Sequence, residues 1–195
     1  RSSKKPYYLA TSPAVLAEFL NKLKYVFSES SELYKGWVKT IGELCKVEVE
    51  DDKPWILENI ANVRLENYRW EALPGKQELQ QLSDYLSQKE IVKHNNLALL
   101  SDADFKILCQ NLPTIARNSL DNGISENLWY EEVVPRESIF YSFVTYGKDD
   151  KAVLNSKHWD TPILQIGANA SIGYGQTVLL NHNLLPINNQ HSHEE

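Results

Sequence analysis

The tripeptide Asp121-Asn122-Gly123 constrains the fold of this chain more than any other short segment. Asn and Gly tolerate the positive φ angles that tight β-turns require, so this segment predicts a sharp chain reversal. Residues 114–120 and 127–133, which flank it, have the composition of two strands. The sequence therefore predicts a β-hairpin with a polar tip.

Helical and strand patterns are interspersed along the rest of the chain. Ser12 is placed to cap a helix over residues 13–27, and a second helix follows Gly75, with Leu79, Leu82 and Leu86 on one face. Residues 28–36 form a polar break, and the run 97–100 is too short to classify by its period. Further strands are predicted at residues 6–10, 45–50, 55–65, 138–146, 162–166 and 177–180.

This order predicts an α+β fold with one antiparallel sheet and helices on one face. We expect one domain over residues 1–187, followed by a polar, disordered tail at 188–195. No apolar run has the length of a membrane span, so no membrane partner is expected. Cys45 and Cys109 lack a CxxC partner, which favours buried thiols in a reducing cytoplasm.

The net charge of −6 over 195 residues argues against a nonspecific polyanion binder. It leaves room for a local basic stripe that contacts RNA. In the predicted hairpin Arg117 is the only cationic side chain. Leu112, Ile115 and Ala116 could wedge between stacked bases while Arg117 meets a phosphate. An ordinary surface hairpin is the alternative.

A second candidate is the glycine-rich segment IGANASIGYGQ. Glycines allow the backbone to approach a phosphate closely and to present N–H groups to it. The segment lacks the spacing of a Walker loop or of a dinucleotide-binding loop. A tight connection between two strands explains the glycines equally well, so both interpretations stay open.

The acidic residues favour structural roles. Asp102 and Asp104 could be imagined as metal ligands, but Ser101 marks a helix start, where carboxylates are favoured by the helix dipole. Glu131 and Glu132 are neighbours on a strand and point to opposite faces, so they cannot act as a catalytic pair.

One glutamate of that pair is expected to form an ion pair with Arg117 or Arg136. His158, beside Trp159 and Asp160, is expected to face solvent.

Three blocks of the sequence, LPTIARNSLDNG with LWYEEVVPRESIFY, RSSKKPYYLATSPAVLAEF and LQIGANASIGYG, span nearly the whole chain. Together they resemble the RAMP-superfamily backbone subunit of Cmr (type III-B) CRISPR complexes. Arg1 and Ser2 match the "RS" with which the family's first block opens. Ala168 departs from the pattern, because the family carries a glycine there, and its methyl group puts the closest backbone approach at that residue in doubt.

The resemblance implies a modified ferredoxin-like (RRM-related) fold with a protruding thumb hairpin at about residues 112–133. It implies copies that stack in a filament along a CRISPR guide RNA, a thumb that displaces base pairs with the target RNA, and other Cmr subunits as partners. The RNA-binding residues that it implies are Arg1, Ser2, Ile115, Ala116, Arg117, Gly167, Asn169, Gly173, Tyr174 and Gly175.

The family also resembles metal-dependent endoribonucleases, which use a divalent metal such as magnesium and an aspartate in an N-terminal loop. Because the chain has no methionine and opens almost directly on apparent core, we predict that it is a C-terminal portion and that this loop precedes Arg1. No residue of the chain is therefore predicted to be catalytic or to bind metal. The alternatives are a Csm-type backbone subunit and a non-catalytic oligomeric RNA-binding scaffold.

Overall fold

The computed structural model describes residues 7–25, 27–88, 92, 95–122, 124–142 and 163–178. The chain divides into two compact units, Arg1–Tyr141 and Ser142–Glu195, and each is described by itself. None of the helices in the described residues has the length and apolar composition needed to cross a membrane.

The first unit contains a four-stranded sheet in the order β1 (Leu9–Thr11), β6 (Leu97–Leu99), β2 (Trp55–Ile56) and β5 (Leu73–Pro74). β1 and β6 run parallel, β6 and β2 antiparallel, and β2 and β5 parallel. The sheet is therefore mixed, and the predicted antiparallel sheet is wrong. The run at 97–100, unclassified in the sequence, supplies the buried strand β6, which lies between β1 and β2 in the sheet.

Three helices, α1 (Pro13–Leu23), α2 (Glu32–Ile41) and α3 (Gln77–Gln88), contribute to a core on one face of this sheet. That core contains Leu16, Ile41, Leu79, Leu82, Leu97 and Leu99. The predicted helices at 13–27 and after Gly75 are confirmed as α1 and α3, although α1 ends at Leu23. The Ser12 hydroxyl accepts a hydrogen bond from the Val15 amide at 3.5 Å, as its predicted capping role requires.

Helix α2 was missed, because residues 28–36 were predicted to be a polar break. Ser31 caps this helix by accepting a hydrogen bond from the Tyr34 amide at 3.1 Å. Tyr34, Trp37 and Ile41 recur at helical spacing behind that cap. The signal was therefore present, but charged residues on the solvent face obscured it.

The opposite face of the sheet is covered by a hairpin, β3 (Asn62–Leu65) and β4 (Tyr68–Glu71), and by helix α4 (Asp102–Gln110). Val63, Leu65 and Trp70 form a second core there with Ala98 and Leu100. Helices thus lie on both faces rather than one. The strand predicted over residues 55–65 is interrupted at 57–61, so its second half pairs with β4 instead of joining the central sheet.

The strand predicted over residues 45–50 is wrong. Leu44–Lys46 form a 3-10 helix, and residues 47–50 pair with no described strand. Val49 is buried in the helix-side core. The alternation of apolar and charged residues therefore reflects one-sided burial, not a strand ladder.

The hairpin predicted from Asp121-Asn122-Gly123 is confirmed as β7 (Thr114–Asp121) and β8 (Ile124–Glu132). Asn122 has a φ of +49°, and Gly123 lies outside the described residues. A register shift follows Ser119. Residues 138–142 form no strand, which corrects that part of the prediction for 138–146; the remainder lies outside the described residues.

In the second unit, β9 (Ile163–Gln165) and β10 (Gln176–Val178) pair antiparallel around a 3-10 helix at Ala170–Ile172. Both strands were predicted, at residues 162–166 and 177–180. The tail at 188–195 lies outside the described residues.

Candidate nucleic-acid interface

The hairpin β7–β8 exposes both of its faces. None of its described side chains is buried. Its register divides them into two groups, since residues directly opposite each other share a face. We call one group the arginine face (Ile115, Arg117, Ser119, Asn127, Trp129, Glu131) and the other the tyrosine face (Thr114, Ala116, Asn118, Leu128, Tyr130, Glu132).

The predicted wedge of Leu112, Ile115 and Ala116 needs correction. Ile115 and Ala116 are neighbours on one strand and therefore belong to opposite faces. Leu112 precedes the strand and is half-buried. These three side chains cannot form one apolar surface.

The tyrosine face supplies the larger apolar surface. Leu128 is 59% exposed and Tyr130 is 67% exposed, with Ala116 directly opposite Tyr130. Sequence analysis did not nominate Leu128 or Tyr130. The signal that could have found them is the two-residue period of β8, combined with the register that the turn imposes.

Arg117 is engaged on the arginine face. Its Nε lies 2.6 Å from Oε2 of Glu131, and the indole N–H of Trp129 donates to Oε1 of the same carboxylate at 3.0 Å. The ion pair predicted for one of the two glutamates is thus confirmed, with Arg117 as the partner. Glu132 lies on the other face, as its strand position required.

The glycine-rich loop of the second unit connects β9 to β10. Gly167, Asn169, Gly173 and Gly175 all have positive φ, between +64° and +89°. A Cβ on Gly175 would fall 1.9 Å from the Ile166 carbonyl oxygen, so glycine is needed there for the turn itself. A tight β-connection therefore accounts for that glycine.

Gly167 and Gly173 differ from Gly175 in their surroundings. A Cβ built on either one meets nothing within 4 Å. Their positive φ explains the preference for glycine, and their open side leaves room for a ligand. The backbone oxygen of Tyr174 accepts a hydrogen bond from the Gln165 side chain. The RNA-binding role predicted for Tyr174 stays a prediction.

The predicted RNA-binding residues therefore fall into separate groups. Ile115, Ala116 and Arg117 belong to the first unit, and the glycine loop belongs to the second. Arg1 and Ser2 lie outside the described residues, as does His158. Their predicted roles stay predictions.

The carboxylates of α4 have structural partners. Oδ1 of Asp102 accepts a hydrogen bond from the Ala14 amide at 2.9 Å, at the start of α1. Oδ2 of the buried Asp104 accepts from the Asp52 amide at 2.8 Å, while the Asp104 amide donates to the Ser101 hydroxyl at 3.1 Å. The capping interpretation is confirmed, although Asp104 reaches Asp52 rather than the Ser101 amide.

Within the described parts of the chain, no group of three or more His, Cys, Asp or Glu side chains could hold a metal ion. The cysteines differ from the predicted buried pair. Cys45 is half-buried and burial raises the pKa of its thiol, whereas Cys109 is exposed.

No protein-family model and no curated protein matches the sequence. Among solved structures, the chain is similar to a chain of a type III-B Cmr-beta cryo-EM structure in the apo state, with a TM-score of 0.56 and 19% identity. The match covers 89% of this chain and 61% of that one, so this chain spans about three-fifths of the longer one. The two chains share a fold.

Proposed function

We propose that the chain is a guide-RNA-binding backbone subunit of a type III-B CRISPR effector complex, with a RAMP-type ferredoxin-like fold. The hairpin β7–β8 would be its thumb. One observation carries the proposal: this hairpin presents Leu128 and Tyr130 to solvent instead of packing them on its own domain. The shared fold with a Cmr-beta chain supports it.

The tyrosine face has the chemistry that a wedge between bases needs. An inserted apolar side chain costs some base unstacking, and the contacts that insertion permits offset that cost. Stacking of a base on an aromatic ring contributes about 1–3 kcal/mol and is tolerant of sequence. Tyr130, with Leu128 two residues before it on the same strand and face, would supply this contact to the guide–target duplex.

The arginine face would lie beside the sugar–phosphate backbone. Arg117 would exchange part of its interaction with Glu131 for a phosphate, since a guanidinium offers five N–H donors. The glycine loop, with open space at Gly167 and Gly173, would let the backbone of the guide RNA approach closely. Further partners would be the target RNA, other Cmr subunits and copies of this chain in a filament.

We derive no cleavage step from the described residues. The family would use a divalent metal, such as magnesium, for target cleavage. Asp102 and Asp104 do not fit that role, because one oxygen of each accepts a backbone amide and they belong to no metal-binding group of side chains within the described residues. The role assigned to this chain is therefore to hold the guide and to separate the duplex locally.

Base displacement can be measured directly with 2-aminopurine, whose fluorescence rises when it leaves the base stack. We expect the full chain to raise the fluorescence of a guide–target duplex that carries 2-aminopurine in the target strand. Leu128→Ser with Tyr130→Ser should remove that rise. The matched control is Tyr25→Ser, which changes a tyrosine that is 89% exposed at the end of α1. An unchanged rise in the double variant would contradict the thumb.

A second candidate is a scaffold in which the hairpin docks on a neighbouring copy of the chain. The neutralisation of Arg117 by Glu131 favours it, because a hairpin with an apolar face and no net cation also suits a protein groove. Light scattering after size-exclusion chromatography separates the two. Under this candidate, the Leu128 and Tyr130 variants would lower the molar mass of assemblies formed without RNA.

A further inference from the structure

Two arginines face each other across the hairpin β3–β4. Arg64 and Arg69 are directly opposite in the antiparallel register, and both are exposed. Like charges in directly opposite positions destabilise a strand pair. The chain as a whole is acidic, with a net charge of −6, so this local concentration of positive charge is not a consequence of composition.

The hairpin holds these two side chains in place. Its inner face is anchored in the core, where Val63 is 1% exposed and Trp70 is 4% exposed, and Tyr68 stacks on Trp70. The alternation of a strand then directs Arg64 and Arg69 to the outer face. Because the strands cannot separate without exposing this core, the two guanidinium groups cannot move apart by moving the backbone.

Neither arginine forms an ion pair within the described residues, although Glu66 in the turn and Glu71 on the outer face are exposed nearby. Nε of Arg64 donates to the Glu66 carbonyl oxygen at 3.2 Å, a contact that does not use the two terminal nitrogens of the guanidinium group. Glu71, which shares the outer face, stands opposite Asn62.

We propose that the outer face of β3–β4 is a second RNA site, at which Arg64 and Arg69 bind phosphates of the sugar–phosphate backbone. The planar guanidinium fork matches phosphate geometry bidentately. A phosphate seated between the two groups removes their mutual repulsion, so a pair that is unfavourable in the free chain becomes favourable in the complex. The proposal rests on the proposed function only for the identity of the ligand.

The position of this site suits an RNA that also reaches the thumb. Helix α4 packs into the same layer as β3–β4, through Phe105 and Leu108. It ends at Gln110, four residues before β7 begins at Thr114. Four steps of about 3.8 Å limit the distance between the end of α4 and the start of β7 to about 15 Å. A short connection after α4 thus joins the layer that carries the arginine pair to the base of the thumb hairpin.

The test compares Arg64→Gln/Arg69→Gln in the full chain with a control of equal charge, Lys24→Gln/Lys39→Gln, which alters exposed lysines at α1 and α2. Binding of a fluorescein-labelled mixed-sequence single-stranded RNA is measured by anisotropy over a series of KCl concentrations. We expect the slope of log K against log salt to become shallower by about 1.4, at roughly 0.7 per lost contact. The control should change it little.

Thermal unfolding gives the second readout. Removing two facing like charges should leave the midpoint unchanged or raise it, whereas a structural role for the arginines would lower it. A lowered midpoint with an unchanged salt slope overturns the proposal. An equal effect of the lysine control overturns it as well, because the whole-molecule charge would then be the cause.

The remaining outcomes separate this proposal from the proposed function. Polyglutamate serves as a probe for an acidic protein. If Arg64→Gln/Arg69→Gln loses binding to polyglutamate while its RNA binding stays intact, the site binds an acidic protein instead. RNA binding that depends on Tyr130 but not on the arginines would overturn only the second site. No RNA binding by the unaltered chain would overturn both.

Discussion

The two long hairpins of the first unit use the same local structure in opposite ways. Hairpin β3–β4 buries one face against the central sheet, with Val63 and Trp70 nearly inaccessible. Hairpin β7–β8 leaves both faces exposed, including Leu128 and Tyr130. Apolar side chains on the first contribute to folding, whereas those on the second remain available to a partner.

The arginines of the two hairpins also differ in their surroundings. Arg64 and Arg69 face each other on β3–β4, whereas Arg117 on β7–β8 is bound by Glu131. The buried hairpin therefore carries a net positive face, and the exposed one carries an internally balanced face. The comparison teaches that an apolar, exposed hairpin is suited to base stacking, and that phosphate attraction can come from a different hairpin.

The largest expected effect tests the difference in burial. Trp70→Ala should lower the free energy of unfolding by about 3–5 kcal/mol, because it removes a large buried side chain. Tyr130→Ala should lower it by about 0.5 kcal/mol or less, since the ring is exposed. Urea unfolding followed by circular dichroism measures both. Similar losses would mean that the tyrosine face is packed in solution.

The next effect tests recognition. Tyr130→Ala should weaken binding of a guide–target duplex by about 1–3 kcal/mol, which corresponds to the loss of one base–aromatic stack. Tyr25→Ala is the control, because it removes a tyrosine that is even more exposed and lies just after α1. Anisotropy titrations at constant salt give the comparison. Equal weakening by both variants would show a nonspecific effect of aromatic surface.

A smaller effect concerns the charge balance of β7–β8. Glu131→Gln keeps the hydrogen-bonding shape but removes the charge that pairs with Arg117, so Arg117 should contact phosphate more readily. The salt dependence of RNA binding should then steepen by about 0.7. Glu132→Gln removes the same charge from the opposite face and serves as the control. If both variants steepen the slope equally, Glu131 has no special relation to Arg117.

The smallest effect concerns Tyr141, which packs the segment after β8 against α1. The Tyr141 ring packs edge-on against Phe19 with centroids 5.2 Å apart. Burial raises the pKa of the Tyr141 hydroxyl; the Glu18 carboxylate raises it further and the Lys22 ammonium opposes both. The raised pKa belongs to the folded state, so the folded chain favours the neutral Tyr141 hydroxyl. The contribution of Tyr141 to the free energy of unfolding is therefore fully present below about pH 10 and is lost as the pH rises through the folded pKa.

Tyr141→Phe cannot ionise and should therefore lose less stability above pH 10 than the unaltered chain. The expected difference in midpoint between the two proteins is about 1 °C. Thermal unfolding at neutral and alkaline pH measures it. A larger loss in the Phe variant would mean that the hydroxyl itself, and not the packed ring, ties this segment to α1.

Local patterns predicted elements well where a cap or a turn accompanied the period. Ser12 before α1, Ser101 before α4 and the Asn122 turn each mark an element that the structure contains. Helix α2 was missed although Ser31 caps it, since its charged face obscured the apolar period. At residues 45–50 alternation alone was misleading, because they pair with no strand among the described residues.

The candidate interface was predicted less completely than the fold. The hairpin and the Arg117–Glu131 pair followed from strand geometry. The division into faces did not, because it depends on which residues stand opposite each other, and the bulge after Ser119 adds an irregularity. The Arg64–Arg69 pair was also missed, since residues five apart in sequence become neighbours only once the tight turn between them forms.

By itself, the sequence determined the existence of the β7–β8 hairpin and of the helices that Ser12 and Ser101 cap, because turn chemistry, capping and periodicity act over a few residues. It also carried the family resemblance that motivates the proposed function. Only the tertiary structure decided that the central sheet is mixed, that β3–β4 is half-buried and that β7–β8 is exposed on both faces. Burial depends on what lies across space from a strand, and neighbours along the chain do not specify that.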